Sequence, residues 1–244
     1  MKVELINWTP DPENTVAAAA RLCYSPEGIS ELAEQMQGDK VRGLLAKLVA
    51  MGHLSPLEHA SFTFGAEGVS RALTHQLVRH RIASYSQKSQ RYVREDQFAY
   101  VVPPSISRNP VARDKYLRIM EQLQAGYTEL AAMVDREDAR YVLPNACYTS
   151  IIFTMNCRSL LNFFELRCCQ RAQWEIRTLA WQMLSLVREQ APVLFATAGP
   201  RCERDGTCSQ GAMSARRCTL SSLLATSSTG TPGLSSASTL ASAR

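Results

Sequence analysis

The sequence predicts an α+β fold in which a small antiparallel sheet packs on long helices. Short segments with alternating or β-branched apolar residues lie among longer segments with helical spacing, and the intervals between them are uneven. Regular βαβ units would give even intervals, so a doubly wound parallel sheet is not expected. With 244 residues and 45% hydrophobic content, the chain can form one good-sized domain with its own core.

The predicted strands are short. Ala60, Phe62, Phe64 and Ala66 alternate with small or polar residues, which is typical of a half-buried strand. Enrichment in β-branched and aromatic residues predicts three more, at residues 3–8, at 98–102 before two prolines, and at 147–155.

The predicted helices carry apolar residues at helical spacing. The last helix is the clearest, because one continuous stripe runs along it: Ile176, Leu179, Ala180, Met183, Leu184 and Val187. The others are predicted through 16–22 after Pro10 and Pro12, from a cap at Ser30 to near Gly52, over 70–80, and over 116–134.

The end of the chain differs in composition. Residues 201–244 are rich in Cys, Ser and Thr, and 13 of the last 26 residues are Ser or Thr. Such a segment buries too little apolar surface to offset its ordering entropy. We therefore predict one folded domain over residues 1–200 and a disordered tail within 201–244.

No metal site is predicted. Cys202, Cys208 and Cys218 lack the paired short spacing and the fourth ligand of a zinc site. All four histidines lie between residues 53 and 80, but none forms the i,i+4 pair that places two imidazoles on one helical face.

The charge balance is weakly basic. The formal charge is +5, but 22 basic and 20 acidic residues leave only +2 for residues 1–200, which is a weak case for a nucleic-acid-binding protein. The chain shows no apolar run near the ~18 residues of a membrane helix and no apolar signal segment. The protein is therefore expected to be cytoplasmic, and without a secretory context its eight cysteines are expected to be reduced thiols.

The most informative segment is RHRIASYSQKSQR at residues 79–91, which combines three arginines and a histidine with hydroxyl and amide side chains. A guanidinium matches phosphate or carboxylate oxygens with two parallel donors, so this segment suits an anionic ligand. A plain solvated charged face is a poorer explanation, because the segment follows an apolar helical stretch and has no acidic residue before Glu95.

The spacing of Arg79-His80-Arg81, seven residues and then Ser89 resembles the signature of the flavin-dependent thymidylate synthases. Other segments match the same family in the same order: HLSPLEH at 53–59, RYVLP at 140–144, and residues 156–176 with RSL, NF and AQWEI. Ordered agreement of several motifs makes coincidence a poor explanation.

The resemblance implies an enzyme that makes dTMP from dUMP with FAD, 5,10-methylenetetrahydrofolate and NADPH. It implies a homotetramer with active sites at subunit interfaces, and no nucleic-acid or membrane partner. The residues implied for FAD are Ser55, Arg79, His80, Arg81, Gln87, Asn156, Arg158 and Asn162. Those expected at dUMP are Gln76, Arg79, Gln87, Lys88, Ser89, Gln90, Arg91, Arg140 and Arg167, with Arg167 as the catalytic candidate.

Helix geometry agrees with the assignment of Arg158 and Asn162 to FAD and of Arg167 to dUMP. Arg158 and Asn162 are four residues apart and share a face, whereas Arg167 lies about half a turn round from Arg158. Arg167 has no acidic neighbour at i+3 or i+4, unlike Arg171, which has Glu175 and is as well explained by a structural as by a functional role.

The reaction builds negative charge on the uracil ring, so it needs fixed donors more than a strong nucleophile. Arg167 is the candidate for polarising or ionising the ring. Ser89 has no nearby acid with which His80 could form a triad, so we expect it to be a loop hydrogen-bond donor.

Two alternatives remain at this point. A nucleic-acid-binding module would use the basic segment at 79–94, although only Tyr85 and Tyr92 could stack on bases. A thiol-dependent transferase would use Cys168 or Cys169, whose thiolate the adjacent Arg167 could favour.

Overall fold

The computed structural model describes residues 1–35, 38–206 and 208. Its strands are β1 (Lys2–Trp8), β2 (Ser61–Ser70), β3 (Ser84–Gln87) and β4 (Tyr148–Asn156). Its α-helices are α1 (Pro12–Leu22), α2 (Ile29–Gln35), α3 (Asp39–Met51), α4 (Arg71–Leu77), α5 (Pro104–Ser107), α6 (Pro110–Ala131), α7 (Arg136–Ala139), α8 (Cys157–Arg167), α9 (Trp174–Gln190) and α10 (Arg201–Asp205). Two short 3-10 helices cover Ser55–His59 and Arg140–Val142.

Within the described part, the strands form one antiparallel sheet in the order β1-β2-β4-β3. Its inner face carries the alternating apolar residues of the central strands, and Phe64 stacks on its partner Phe153 with ring centroids 5.5 Å apart. The sheet and the helices together make up the fold, so the predicted α+β class is confirmed.

The core lies between this inner face and α8 and α9. All six residues of the apolar stripe on α9 are fully buried, and Phe163 and Phe164 of α8 join them. A second, smaller apolar cluster contains Met120 of α6 together with Phe98 and Cys147.

A bulge in β2 sets the entry into α4. The pairing of β2 with β4 shifts between Glu67 and Val69, where Gly68 has φ +64°, a left-handed conformation that suits glycine. The strand then ends at Ser70, which caps α4.

Three predicted elements require correction. The helix expected from Ser30 to Gly52 is two helices, α2 and α3, and Gly38 before α3 has φ +60° and ψ −129°, which no helix accommodates. Residues 98–102 form only a single bridge, Tyr100 to Cys147, since Pro103 and Pro104 follow closely. The segment 84–87, expected to be loop, is strand β3, because it pairs with β4 from Ser84 opposite Thr154 to Gln87 opposite Ile151.

The contacts divide the chain after Pro200. In the second unit, Arg201–Asp205 form α10, with Arg201 paired to Asp205. The predicted disordered tail otherwise falls on residues 207 and 209–244, which lie outside the described residues, as does Cys218. In the described ranges, no helix is both long and apolar enough to cross a membrane.

Candidate active site

Helix α4 positions the predicted ligand-binding segment. Its N-cap Ser70 accepts a hydrogen bond from the backbone N of Leu73 at 3.0 Å, which satisfies one of the free donors of the first turn. The helix ends at Leu77, and Arg79, His80 and Arg81 form the turn that follows.

Tyr85 of β3 holds this turn in place. Its hydroxyl lies 2.9 Å from the carbonyl oxygen of Leu77 and 2.7 Å from that of His80. Burial raises the pKa of Tyr85 to about 12, so the hydroxyl keeps its proton and can donate to these carbonyls. The turn is thereby tied to the sheet.

His80 and Arg167 meet at the centre of the site. Nε of Arg167, the last residue of α8, donates to Nε2 of His80 at 3.0 Å, and an Nη donates to the carbonyl oxygen of Gln76 at 3.5 Å. The imidazole also packs edge-on against Phe163, with ring centroids 4.9 Å apart. Burial and the Arg167 charge lower the pKa of His80 from 6.5 to about 4, so the imidazole is neutral at pH 7.

A second group of predicted residues lies where β3 ends. Nε2 of Gln87 donates to the hydroxyls of Thr74 and Thr149, at 3.0 and 3.3 Å. Lys88 pairs with the buried Glu95 at 2.9 Å. The amide nitrogen of Gln87 is thus engaged within the protein, and among the described residues no hydrogen bond reaches its side-chain oxygen, which could accept one from a ligand.

The loop beyond Lys88 continues this group. The hydroxyl of Ser89 accepts from the backbone N of Arg91 at 3.2 Å, and Arg91 pairs with Glu137 at 2.7 Å. Arg140 donates from Nε to the carbonyl oxygen of Glu137 at 3.0 Å, and Gln90 is half-buried. Two arginines expected at the nucleotide are therefore held next to each other through Glu137.

The third group lies at the start of α8. Asn156 caps this helix, and its side chain accepts from the backbone N of Ser159 at 2.8 Å. Arg158 pairs with Glu58 of the first 3-10 helix at 2.5 Å, while Ser55 and Asn162 are exposed. Nine residues separate Arg158 from Arg167, which corresponds to about 13 Å along a helix axis.

The structure thus brings the sequence-predicted residues into three groups. Gln76, His80 and Arg167 are in direct contact, residues 87–91 lie with Arg140, and Ser55 lies with Asn156, Arg158 and Asn162. Arg158 and Arg167 have different partners at the two ends of α8.

Three buried or half-buried residues help to position the candidate site, and the sequence analysis did not identify them. Glu175, on the apolar face of α9, accepts hydrogen bonds from Ser70. Tyr85 anchors the turn, and Arg71 donates to the carbonyl oxygen of Lys88 at 2.8 Å. Burial lowers the pKa of Arg71, and its Nε is buried with no hydrogen-bond partner among the described residues. A charged residue at a buried helical position is the signal that could have identified Glu175.

The exposed part of the site suits a large anionic cofactor. In the described ranges the side chains of Arg79 and Arg81 are exposed and make no hydrogen bond or ion pair, so both guanidinium groups can bind phosphate oxygens. The described residues contain no group of three or more His, Cys, Asp or Glu placed to hold a metal ion.

Comparisons with known proteins give matches over most of the chain. A family model described as thymidylate synthase complementing protein matches residues 4–193. The flavin-dependent thymidylate synthase of Clostridium tetani is 53% identical over 231 residues, covering 88% of this chain and 92% of that protein. The proteins of the same name from Geobacter sulfurreducens and Thermococcus onnurineus are 55% and 43% identical, covering 87% and 86% of this chain and 93% and 90% of their own lengths.

Proposed function

The chain belongs to the family of flavin-dependent thymidylate synthases, and from this premise we propose that it makes dTMP from dUMP. In this proposal 5,10-methylenetetrahydrofolate donates the one-carbon unit, and FAD reduced by NADPH carries the hydride. The observation that supports it most strongly is the position of Arg167, whose guanidinium is held by His80 and Gln76 beside the anion-binding turn.

Arg167 is proposed to stabilise the charge that develops on the uracil ring. With Nε bonded to His80, the outer edge of the guanidinium keeps donors for a planar ligand, and a preorganised donor in a half-buried site lowers the energy of a developing anion. Burial lowers the pKa of Arg167, which is still a cation at neutral pH.

The nucleotide is proposed to lie between Arg167 and residues 87–91, with its phosphate near Arg91 and Arg140. Both arginines are held at Glu137, so a phosphate that enters must share or displace the Arg91–Glu137 pair. That pair is about half exposed, and such pairs contribute little to stability, so the exchange costs little.

FAD is proposed to contact Arg79, His80 and Arg81 at one end of α8 and Ser55, Asn156, Arg158 and Asn162 at the other. When bound, FAD supplies the hydride that completes the methyl group. The protein's own residues hold the pyrophosphate and ring, and place the uracil where Arg167 can act.

We further propose a homotetramer with active sites at subunit interfaces. The two groups of FAD residues lie at opposite ends of α8, and both are largely exposed on a single chain. If each active site combined one group from one chain with the other group from a second chain, a single FAD would not have to extend along the whole length of α8. NADPH as the reductant and a cytoplasmic location are part of the same proposal.

The alternative, a nucleic-acid-binding module built on residues 79–94, is less well supported. Three of its cations lie beside carboxylates, in Lys88–Glu95, Arg91–Glu137 and Arg94–Asp96, and these negative charges offset part of the positive charge that the sequence implies. Nucleic-acid binding depends strongly on free cations that replace counterions at phosphates.

The test is product formation. The purified protein is incubated with dUMP, 5,10-methylenetetrahydrofolate and NADPH, with and without added FAD, and dTMP is measured by mass spectrometry. We expect dTMP only when each component is present. No dTMP from a folded protein that has taken up FAD would contradict the proposal, and salt-sensitive binding of single-stranded DNA would favour the alternative.

A further inference from the structure

The hydrogen bond between Arg167 and His80 fixes which group donates. An arginine guanidinium stays protonated in proteins and has no acceptor, so Nε must donate and Nε2 of His80 must accept. A neutral imidazole accepts at one nitrogen only when its proton is on the other nitrogen. His80 is therefore required as the Nδ1–H tautomer.

The surroundings of His80 hold the acceptor in this position. Its ring packs edge-on against Phe163, which is fully buried on the same helix as Arg167. Its backbone carbonyl oxygen is 2.7 Å from the Tyr85 hydroxyl. The ring and the backbone of His80 are thus each restrained, so the position of Nε2 relative to α8 is well defined.

In the described part of the chain, few charged or titratable groups face the imidazole. Arg167 faces it from α8 and Tyr85 faces its backbone from β3, while Arg79 and Arg81 flank it on the turn. Burial and the charge of Arg167 both disfavour imidazolium, so the acceptor state persists well below neutral pH.

We propose that His80 is a positioning residue for the uracil-binding arginine: its neutral imidazole accepts from Nε of Arg167 and so directs the outer edge of the guanidinium towards the nucleotide. This inference rests on the proposed function. It adds a role at the substrate side for the imidazole of His80 to the cofactor contacts proposed for the turn, whose Arg79 and Arg81 side chains are exposed.

A guanidinium that is held in one orientation before the substrate arrives loses less freedom as the charged ring forms. A long arginine side chain without this acceptor would sample other rotamers or turn its Nε towards solvent. Removing the His80 acceptor should therefore lower kcat, because the hydrogen bonds from a correctly oriented Arg167 to the uracil ring are strongest in the transition state.

Two substitutions separate this role from simple packing. His80→Gln places an amide oxygen near the position of Nε2 and keeps the acceptor, whereas His80→Asn is shorter and places its amide near the position of Nδ1. Arg167→Lys removes the donor from the other side. Each variant is purified with FAD, and its flavin content, kcat and KM for dUMP are measured.

Because His80 is also proposed to contact FAD, turnover is compared per bound FAD. On that scale we expect His80→Asn to lose about 10- to 100-fold more kcat than His80→Gln, as for removal of a hydrogen bond to a charged group. In the Arg167→Lys background, His80→Asn should cause little further loss, because the two residues act as one unit. Equal kcat per bound FAD for His80→Asn and wild type, or equal losses for the two His80 variants, would overturn the inference.

A second readout does not depend on turnover. With four histidines in the chain, ¹⁵N NMR of the labelled protein can resolve the imidazole of His80, identified by its disappearance in His80→Gln. We expect the Nδ1–H tautomer at pH 7 and a shifted Nε2 resonance in Arg167→Lys. An Nε2–H tautomer, or no shift, would overturn the inference even if wild-type protein made dTMP. Failure of wild-type protein to make dTMP would reject the proposed function while the NMR result still decided the contact.

Discussion

The carboxylate of Glu175 accepts two hydrogen bonds from Ser70, one from its backbone N at 2.7 Å and one from its hydroxyl at 2.5 Å. Both residues are only 2% exposed. Glu175 lies in the first turn of α9 and Ser70 caps α4, so one buried carboxylate joins the two helices. Because α4 leads directly to the turn with Arg79 and His80, the position of that turn depends on this contact.

Glu175→Ala should lower the free energy of unfolding by about 1–3 kcal/mol, because the buried N–H of Ser70 loses its acceptor. Glu175→Gln should cost less, since it keeps one oxygen. The measurement is denaturant unfolding at a fixed protein concentration. The control is Glu189→Ala, an exposed acid on the same helix, expected to change stability by less than about 0.5 kcal/mol. Equal stabilities of the Glu175→Ala and Glu189→Ala variants would contradict the structural role.

Arg167→Lys should lose turnover far more than FAD content. Lysine keeps the positive charge but not the planar fork of donors, and removing one preorganised donor costs roughly 10²-fold or more in rate. Flavin content is read from the visible spectrum and turnover from dTMP formed per bound FAD. Arg118→Lys, an exposed arginine on α6, is the control and should behave like wild type. Loss of flavin with normal turnover per bound FAD would show that Arg167 and Arg158 are assigned to the wrong ligands.

If active sites are completed between subunits, two inactive variants should rescue each other. Arg79→Ala and Arg158→Ala chains are unfolded together and refolded as mixed oligomers. About a quarter of the sites should then combine two intact groups, because each site draws one group from each of two randomly chosen chains.

The matched control mixes Arg79→Ala with Arg81→Ala. These residues are two apart on one turn and belong to the same chain at any site, so this mixture should show no rescue. Absence of rescue in the first mixture, or monomers in light scattering, would contradict the interface proposal.

The double change Cys168→Ser, Cys169→Ser should retain most dTMP formation. Cys168 is 1% exposed and caps the C-terminal end of α8, so its side chain is packed inside the protein. In the mechanism that we propose, Arg167 and the flavin hydride act on the uracil ring, and no thiolate is needed there. Incubation with 5-fluoro-dUMP should leave no thioether on either residue in mass spectrometry. Loss of turnover in a folded, flavin-loaded double variant would support the thiol mechanism, and Cys168→Ala serves as a second variant if serine disrupts the fold.

Much of the fold was predictable from local pattern. The stripe on α9 and the alternation in β2 place apolar residues on one face, and the structure buries both. Strand β3 was missed because the segment 84–87 is polar and short, and its pairing comes from β4, more than sixty residues away in sequence. The break at Gly38 was missed because glycine is tolerated inside helical patterns, and only the backbone conformation shows that the helix stops there.

The site was predictable where motifs carried it and not where tertiary contacts create it. The resemblance identified Arg79, His80 and Arg167, but no sequence spacing indicates that the last two hydrogen-bond across 87 positions. The pairing of Lys88 with Glu95 and of Arg91 with Glu137 likewise depends on how loops fold back. Sequence reasoning treated Lys88 and Arg91 as unpartnered, and the structure shows that both have carboxylate partners.

The visible spectrum of the purified protein under anaerobic conditions tests the central claim most directly. We expect an oxidised flavin spectrum that bleaches on addition of NADPH and returns when dUMP and 5,10-methylenetetrahydrofolate are both supplied, with dTMP formed in proportion to the flavin reoxidised. Protein that remains colourless after reconstitution with FAD, or a reduced flavin that is not reoxidised by the two substrates, would contradict the account.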